Sequence, residues 1–196
     1  MNSEAQRLAA ELLAGGCSRP QERAIVEALA LYGTAPLRFA LDGGVNVVAL
    51  PKGARYRELS SALSRLGVDV DAWPAPPAGL FVVEERTVYL RSRSPMTVAH
   101  EFGHALDCVL GSGVYRSGID PIVRGCFSNA QAFVTPYAAS GLDEYFAEAL
   151  RAYVEANDDA SAWPAATRAR LRCVDPVLYA YVDELFISGF AHANAA

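Results

Sequence analysis

The sequence holds only three histidines, no C-x-x-C pair, no cluster of lysine and arginine, and no apolar run approaching a membrane span. Each shortage excludes something. Four cysteines are present, Cys17, Cys108, Cys126 and Cys173, but their spacing does not suit a zinc ribbon or a thioredoxin-like site. A chain of 196 residues with 52% hydrophobic content can build its own core, so these cysteines read as small core residues rather than disulfide staples. With 17 basic and 22 acidic residues the formal charge is −5. That balance gives no general attraction to nucleic acid or to an anionic membrane. A bilayer-spanning helix needs about 20 consecutive apolar residues, and none of the apolar runs comes close.

The first sixteen residues, MNSEAQRLAAELLAGG, carry Glu4 and Glu11 and lack a long apolar segment after a basic start. They read as an amphipathic helix, not as a secretory signal. The expectation is a chain that is cytoplasmic as synthesised, with export as an effector or secreted enzyme left open.

No repeat and no low-complexity linker divides the chain, which reads as one domain over residues 1–196. Residues 1–69 form a mixed α/β portion and residues 70–190 the core that carries the chemistry. Helical patterns run from Ser3 to about Ala14, and from Pro20 through Ile25, Leu29 and Leu31. Leu37 to Leu41 and Val45 to Leu50 read as two strands around the turn Asp42-Gly43-Gly44. Tyr56 to Leu66 reads as a helix with Leu59, Leu63 and Leu66 on one face, stopped at Gly67. A proline-rich segment, Asp71 to Gly79, precedes two short strands, Leu80 to Val83 and Thr87 to Arg91. Ser94-Pro95 then opens a strong helix that runs to about Leu110. Residues 114–140 look irregular, with a short helix after Asp120-Pro121. Ser140, with Asp143 three residues on, starts a helix reaching about Asn157, and a last helix runs from Asp175-Pro176 to about Ser188.

The informative segment is His100-Glu101-Phe102-Gly103-His104, inside the helix that Ser94 caps. Helical residues four apart lie about 40° apart around the axis and about 6 Å along it. Both imidazoles therefore leave one face and can meet one ion, with Glu101 beside them in reach of a water on that ion. Two of the chain's three histidines standing four apart, the first followed by Glu, is a rare coincidence. Catalytic zinc takes three protein ligands and keeps one open position. His192 lies in an Ala-rich tail and Cys108 one turn too far along the same helix, so a carboxylate from another helix is the better third ligand. Asp143-Glu144-Tyr145-Phe146-Ala147-Glu148 offers two, and pattern alone does not choose between Glu144 and Glu148. Asp107, one turn below His104, reads as a structural partner.

The run His100 to Asp107, HEFGHALD, followed by Tyr137 and then by DEYFAE at Asp143 to Glu148, resembles the catalytic domain of anthrax lethal factor. It is also similar to the secreted proline–proline endopeptidases, which share that fold. Both pair HExxH with a later E-[FY]-F-A-E helix and place a tyrosine seven residues before its first Glu; here 144 − 137 = 7. The resemblance covers roughly residues 70–190. It implies a zinc peptidase acting on a peptide or protein substrate. His100, His104 and Glu144 would then be ligands of Zn2+, Glu101 the general base and Tyr137 the catalytic tyrosine, with Glu148 orienting a ligand histidine. It further implies an α+β, zincin-like fold: a twisted mixed sheet over the HExxH helix, with a helical C-terminal half. Leu80, Phe81 and Val82 would lie on an edge strand that binds extended peptide, and Trp73 and the following prolines would line the cleft. The chain departs from the family in lacking a delivery domain and any clear match over Gly111 to Thr135, so substrate, export and toxicity do not carry over. Two other readings stand beside the peptidase: a non-catalytic zinc-dependent binding module, and an intracellular metallopeptidase that cleaves a repressor.

Overall fold

A computed structural model describes residues 3–14, 18–159, 161 and 165–190. His192 and Cys17 lie outside the described residues. Helices α1 (Ser3–Leu12), α2 (Arg19–Ala30) and α3 (Thr34–Asp42) lead into strand β1 (Asn46–Ala49). Two short helices follow, α4 (Tyr56–Leu59) and α5 (Ser61–Leu66), then strands β2 (Gly79–Val82) and β3 (Thr87–Leu90). The rest is helical: α6 (Pro95–Leu110), α7 (Arg116–Ile119), α8 (Pro121–Asn129), α9 (Leu142–Val154), α10 (Arg168–Val174) and α11 (Pro176–Glu184). Among the described residues, no single helix is long and apolar enough to cross a membrane.

The sheet is small and mixed, in the order β1-β3-β2. β1 runs parallel to β3, with Asn46 opposite Thr87 and Ala49 opposite Leu90. β2 runs antiparallel to β3, with Gly79 opposite Leu90 and Val82 opposite Thr87. All four residues of β3 are buried, as a central strand covered on both faces requires. Alternation sends Val88 and Leu90 into the main core with Phe102 and Leu106 of α6. Tyr89, with Val82, packs on the opposite side against Tyr56 and Leu63, which α4 and α5 supply. β2 has a neighbour on one side only and is an edge.

The N-terminal part is not a separate layer. β1 pairs with β3, and α2 and α3 pack on α6. Inside that framework α6 is nearly all buried, from Val98 to Cys108. Its start is fixed as the sequence predicts: Ser94 Oγ accepts from the Thr97 amide at 3.3 Å, and Pro95 fills the first turn. Asp158 adds a second cap, accepting from the Met96 amide at 3.2 Å.

Several expectations fail locally. Leu37 to Leu41 is helical, not a strand; α3 buries Pro36, Leu37, Phe39 and Ala40, a helical rather than an alternating set. Short apolar runs carry this ambiguity. The Tyr56–Leu66 helix is broken at Ser60, whose hydroxyl caps α5, and Leu59 and Leu66 are exposed. Leu31 is exposed as well. Ser140 does not cap α9; its hydroxyl donates to the Tyr137 carbonyl at 2.6 Å, and Gly141 stands at the cap. α9 stops at Val154 rather than near Asn157 because Glu155 turns left-handed at φ 57°.

Candidate metal centre

The polar side chains buried between α6 and α9 converge on one point. His100 Nε2 and His104 Nε2 lie 3.1 Å apart. Glu144 Oε2, from the first turn of α9, lies 2.9 Å from the first and 3.2 Å from the second. The two helices approach closely because Gly103 faces α9. A Cβ there would stand 3.1 Å from Ala147 Cα and 3.2 Å from its carbonyl oxygen. The glycine in HEFGH thus sets the distance across which Glu144 reaches the imidazoles.

Donor chemistry tests whether a cation fits. Glu148 Oε1 lies 2.9 Å from His100 Nδ1. Hydrogen bonds from His100 and Arg151 and their charges hold the Glu148 carboxyl well below its usual range, although burial opposes this. It is therefore ionised and only accepts, so a proton sits on His100 Nδ1, and a ring that gives up its second proton presents the Nε2 lone pair. Glu144 Oε2 is buried without a hydrogen-bond partner, as is His104 Nδ1. Two imidazoles and a carboxylate aimed at one another suit a divalent ion with nitrogen and oxygen ligands, and zinc is the usual one for such a set. Burial lowers the proton affinity of His100, but the Glu144 carboxylate 2.9 Å away and the bond to Glu148 outweigh it and lift the imidazole to about 10. The same two histidines hold Glu144 far below the usual carboxylate range against its burial.

Glu101 does not join this trio. Its carboxylate lies under the start of β2, where a Cβ on Gly79 would come within 2.4 Å of Glu101 Cγ and 2.9 Å of Oε1. The nearby Phe81 backbone acts to lower its pKa. Burial raises the Glu101 carboxyl, and the neighbouring histidines oppose that only in part. Tyr137 sits on a single helical turn, Tyr137–Ala139, and its hydroxyl donates to Glu144 Oε1 at 3.1 Å. It is 46% exposed. Burial and the adjacent Glu144 charge raise its phenol, so it stays a donor. Asp107 is fully buried and takes two bonds from Ser117, from the amide at 2.8 Å and the hydroxyl at 2.6 Å. It pins the turn after α6.

Beside the histidines opens a cleft of about 300 Å³, walled by Pro77, Ala78, Gly79, Met96, Thr97 and Tyr137. Leu80, Phe81 and Val82 lie on the edge strand, but Phe81 and Val82 are buried and none of the three lines the cleft. Trp73 is 52% exposed and away from the cleft wall, so it is not ordinary core either. Pro77, from the segment that follows Trp73, does line it. The sequence reading missed Thr135 and Arg151, both of which bond Glu148. For Arg151 a signal existed: a basic residue three positions after Glu148, on an otherwise apolar helix.

No family model matches the chain, and no curated protein matches it in sequence. Among solved structures, it is similar to the PRO-PRO endopeptidase PPEP-2 from Paenibacillus alvei. The TM-score is 0.64 at 22% identity, over 91% of this chain and 99% of that one. At that identity the likeness is one of fold, and this α+β chain shares the architecture of that endopeptidase.

Proposed function

We propose that the chain is a zinc-dependent endopeptidase. The observation that carries this reading is the convergence of His100 Nε2, His104 Nε2 and Glu144 Oε2, with Glu101 on the same helix but outside the trio. The fold shared with PPEP-2, whose name gives it as a PRO-PRO endopeptidase, supports the peptidase class. Zinc bound by these three residues would supply a Lewis acid that acidifies water and polarises a carbonyl.

The remaining work falls to this chain's own side chains. The open edge of β2 and the cleft beside it take an extended peptide through main-chain hydrogen bonds. Glu101 accepts the proton of the attacking water and passes it to the leaving amine. Its burial serves this role, because a carboxylate of raised pKa is the stronger base. The Tyr137 hydroxyl donates to the oxyanion that forms on the scissile carbonyl. A binding module that merely holds zinc needs neither Glu101 nor Tyr137, which favours the enzyme over that alternative.

Glu101→Gln tests the reading. The variant should retain metal by elemental analysis and lose nearly all cleavage of a peptide library followed by mass spectrometry. Cleavage by the wild type should vanish with a chelator and return with zinc. Wild-type turnover by Glu101→Gln would remove Glu101 as the base.

A further inference from the structure

Behind His100 lies a buried charge relay that the chemistry above does not use. Glu148 receives four hydrogen bonds, which fill both of its oxygens. Oε1 takes the His100 Nδ1–H at 2.9 Å and Arg151 Nε–H at 2.7 Å. Oε2 takes the Thr135 hydroxyl at 2.5 Å and Arg151 Nη2–H at 2.8 Å. Arg151 is only 2% exposed and its other end is also held. Nη1 donates to the Ala156 carbonyl at 3.0 Å and to Asn157 Oδ1 at 3.2 Å. Asn157 is in turn locked to Ala166, with its Nδ2 donating to the carbonyl at 2.8 Å and its Oδ1 accepting from the amide at 2.8 Å. The turn that ends α9 therefore grips Arg151, Arg151 grips Glu148, and Glu148 grips His100.

We infer that Arg151 is a positioning residue for the metal centre, acting through Glu148 to fix the His100 ring and keep its proton on Nδ1. The inference rests on the metal-binding reading proposed above. A buried fork of two parallel bonds has a clear purpose here. It fixes the plane of the carboxylate and hence the direction in which the imidazole must point. It also supplies the counter-charge that lets Glu148 stay an acceptor in a dry site. Glu144 already places one carboxylate beside His100, and a second needs that compensation. With the fork removed, the Glu148 carboxylate is free to swing, and the His100 ring loses the fixed acceptor that sets its direction. Groups that orient a ligand histidine in this way are typically worth about 10- to 100-fold in metal affinity.

The test is a double-mutant cycle in metal affinity, read by chelator competition with Zn2+ and by the visible spectrum of the Co2+ form, without reference to cleavage. Arg151→Met should weaken binding about 10- to 100-fold. Arg151→Lys, which keeps the charge but not the fork, should fall between. In a Glu148→Gln background, Arg151→Lys should cost nothing further, because the path from Arg151 to the metal is already cut. Circular dichroism checks each fold, and the Lys pair carries the cycle if Arg151→Met does not fold. Wild-type affinity in folded Arg151→Lys and Arg151→Met would overturn the inference while leaving the metal site standing. So would equal losses from Arg151→Lys with and without Glu148→Gln. Failure of the wild type to bind Zn2+ or Co2+ would overturn both this inference and the reading beneath it.

Discussion

Glu144 and Glu148 are the same residue type, one helical turn apart on α9, yet they occupy opposite chemical situations. Glu144 keeps 21% of its side chain exposed, faces two imidazole nitrogens and carries one oxygen with no hydrogen-bond partner. Glu148 keeps 4% exposed and has every acceptor site filled by His100, Thr135 and Arg151. A carboxylate with open lone pairs can bind an ion; a saturated one can only orient a neighbour. Spacing and residue type are identical, so surroundings alone separate the two roles.

The largest expected effect follows from that contrast. Glu144→Ala should abolish metal retention at stoichiometric zinc while leaving the metal-free fold little changed. Glu148→Ala should do the reverse. Metal binding should weaken about 10- to 100-fold, while the metal-free protein should lose about 3–5 kcal/mol of stability, because Arg151 is left as an uncompensated buried charge. Elemental analysis and urea unfolding of both variants provide the check. If Glu148→Ala loses the metal and Glu144→Ala keeps it, the assignment is inverted.

Tyr137 bonds Glu144 and not Glu148, which sets it beside the candidate metal trio. Tyr137→Phe should bind zinc normally and lower kcat by on the order of 10²- to 10³-fold, the usual worth of one oxyanion donor. A change confined to zinc content would make Tyr137 a support for Glu144 instead.

How much of this was legible in the sequence depends on how local the signal is. The α6 helix was readable because cap, proline and apolar face all agree within sixteen residues. The pairing of imidazoles was readable from a four-residue spacing. The choice between Glu144 and Glu148 was not, because it turns on Thr135 and Arg151, whose partners are set by how α9 seats against α6 and the turn before it. α3 was misread as a strand because a five-residue stretch with four apolar residues fits either period, and packing on α1 and α6 decides. The fold likeness to PPEP-2 spans 91% of the chain, more than the stretch near residues 70–190 in which sequence resemblance was visible.

Gly79 sharpens the contrast from the side of the base. The three proposed ligands belong to α6 and α9, whereas Glu101 lies against β2, in the space left by the missing side chain of Gly79. Gly79→Ala would push against the Glu101 carboxylate and move it without touching the ligands. A shift of about 1 Å at a reacting group can cost on the order of 10²-fold. The expected result is a loss of that order in kcat with unchanged metal affinity. Gly103→Ala should instead weaken metal binding, because its Cβ meets the backbone of α9 at Ala147. Equal behaviour of the two alanines would dissolve the separation between base and ligand set.

The most gradual expected effect is in pH. Both glutamates raise His100, which stands at about 10 in the metal-free protein, above its ordinary value of about 6.5. A folded-state value above the unfolded one stabilises the metal-free fold fully below about pH 6.5, and that contribution fades as pH rises through about 10. Metal binding has the opposite sign, since it requires the neutral ring. Each ion bound at pH 8 should therefore displace about one proton from His100. Apparent affinity, corrected for the chelator, should climb about tenfold per pH unit from 7 to 9. An ordinary histidine would have levelled off near 6.5. Calorimetry in buffers of different ionisation enthalpy counts the proton directly. No proton released at pH 8 would mean that Glu144 and Glu148 do not hold His100 charged, and that their influence on the ring is steric alone.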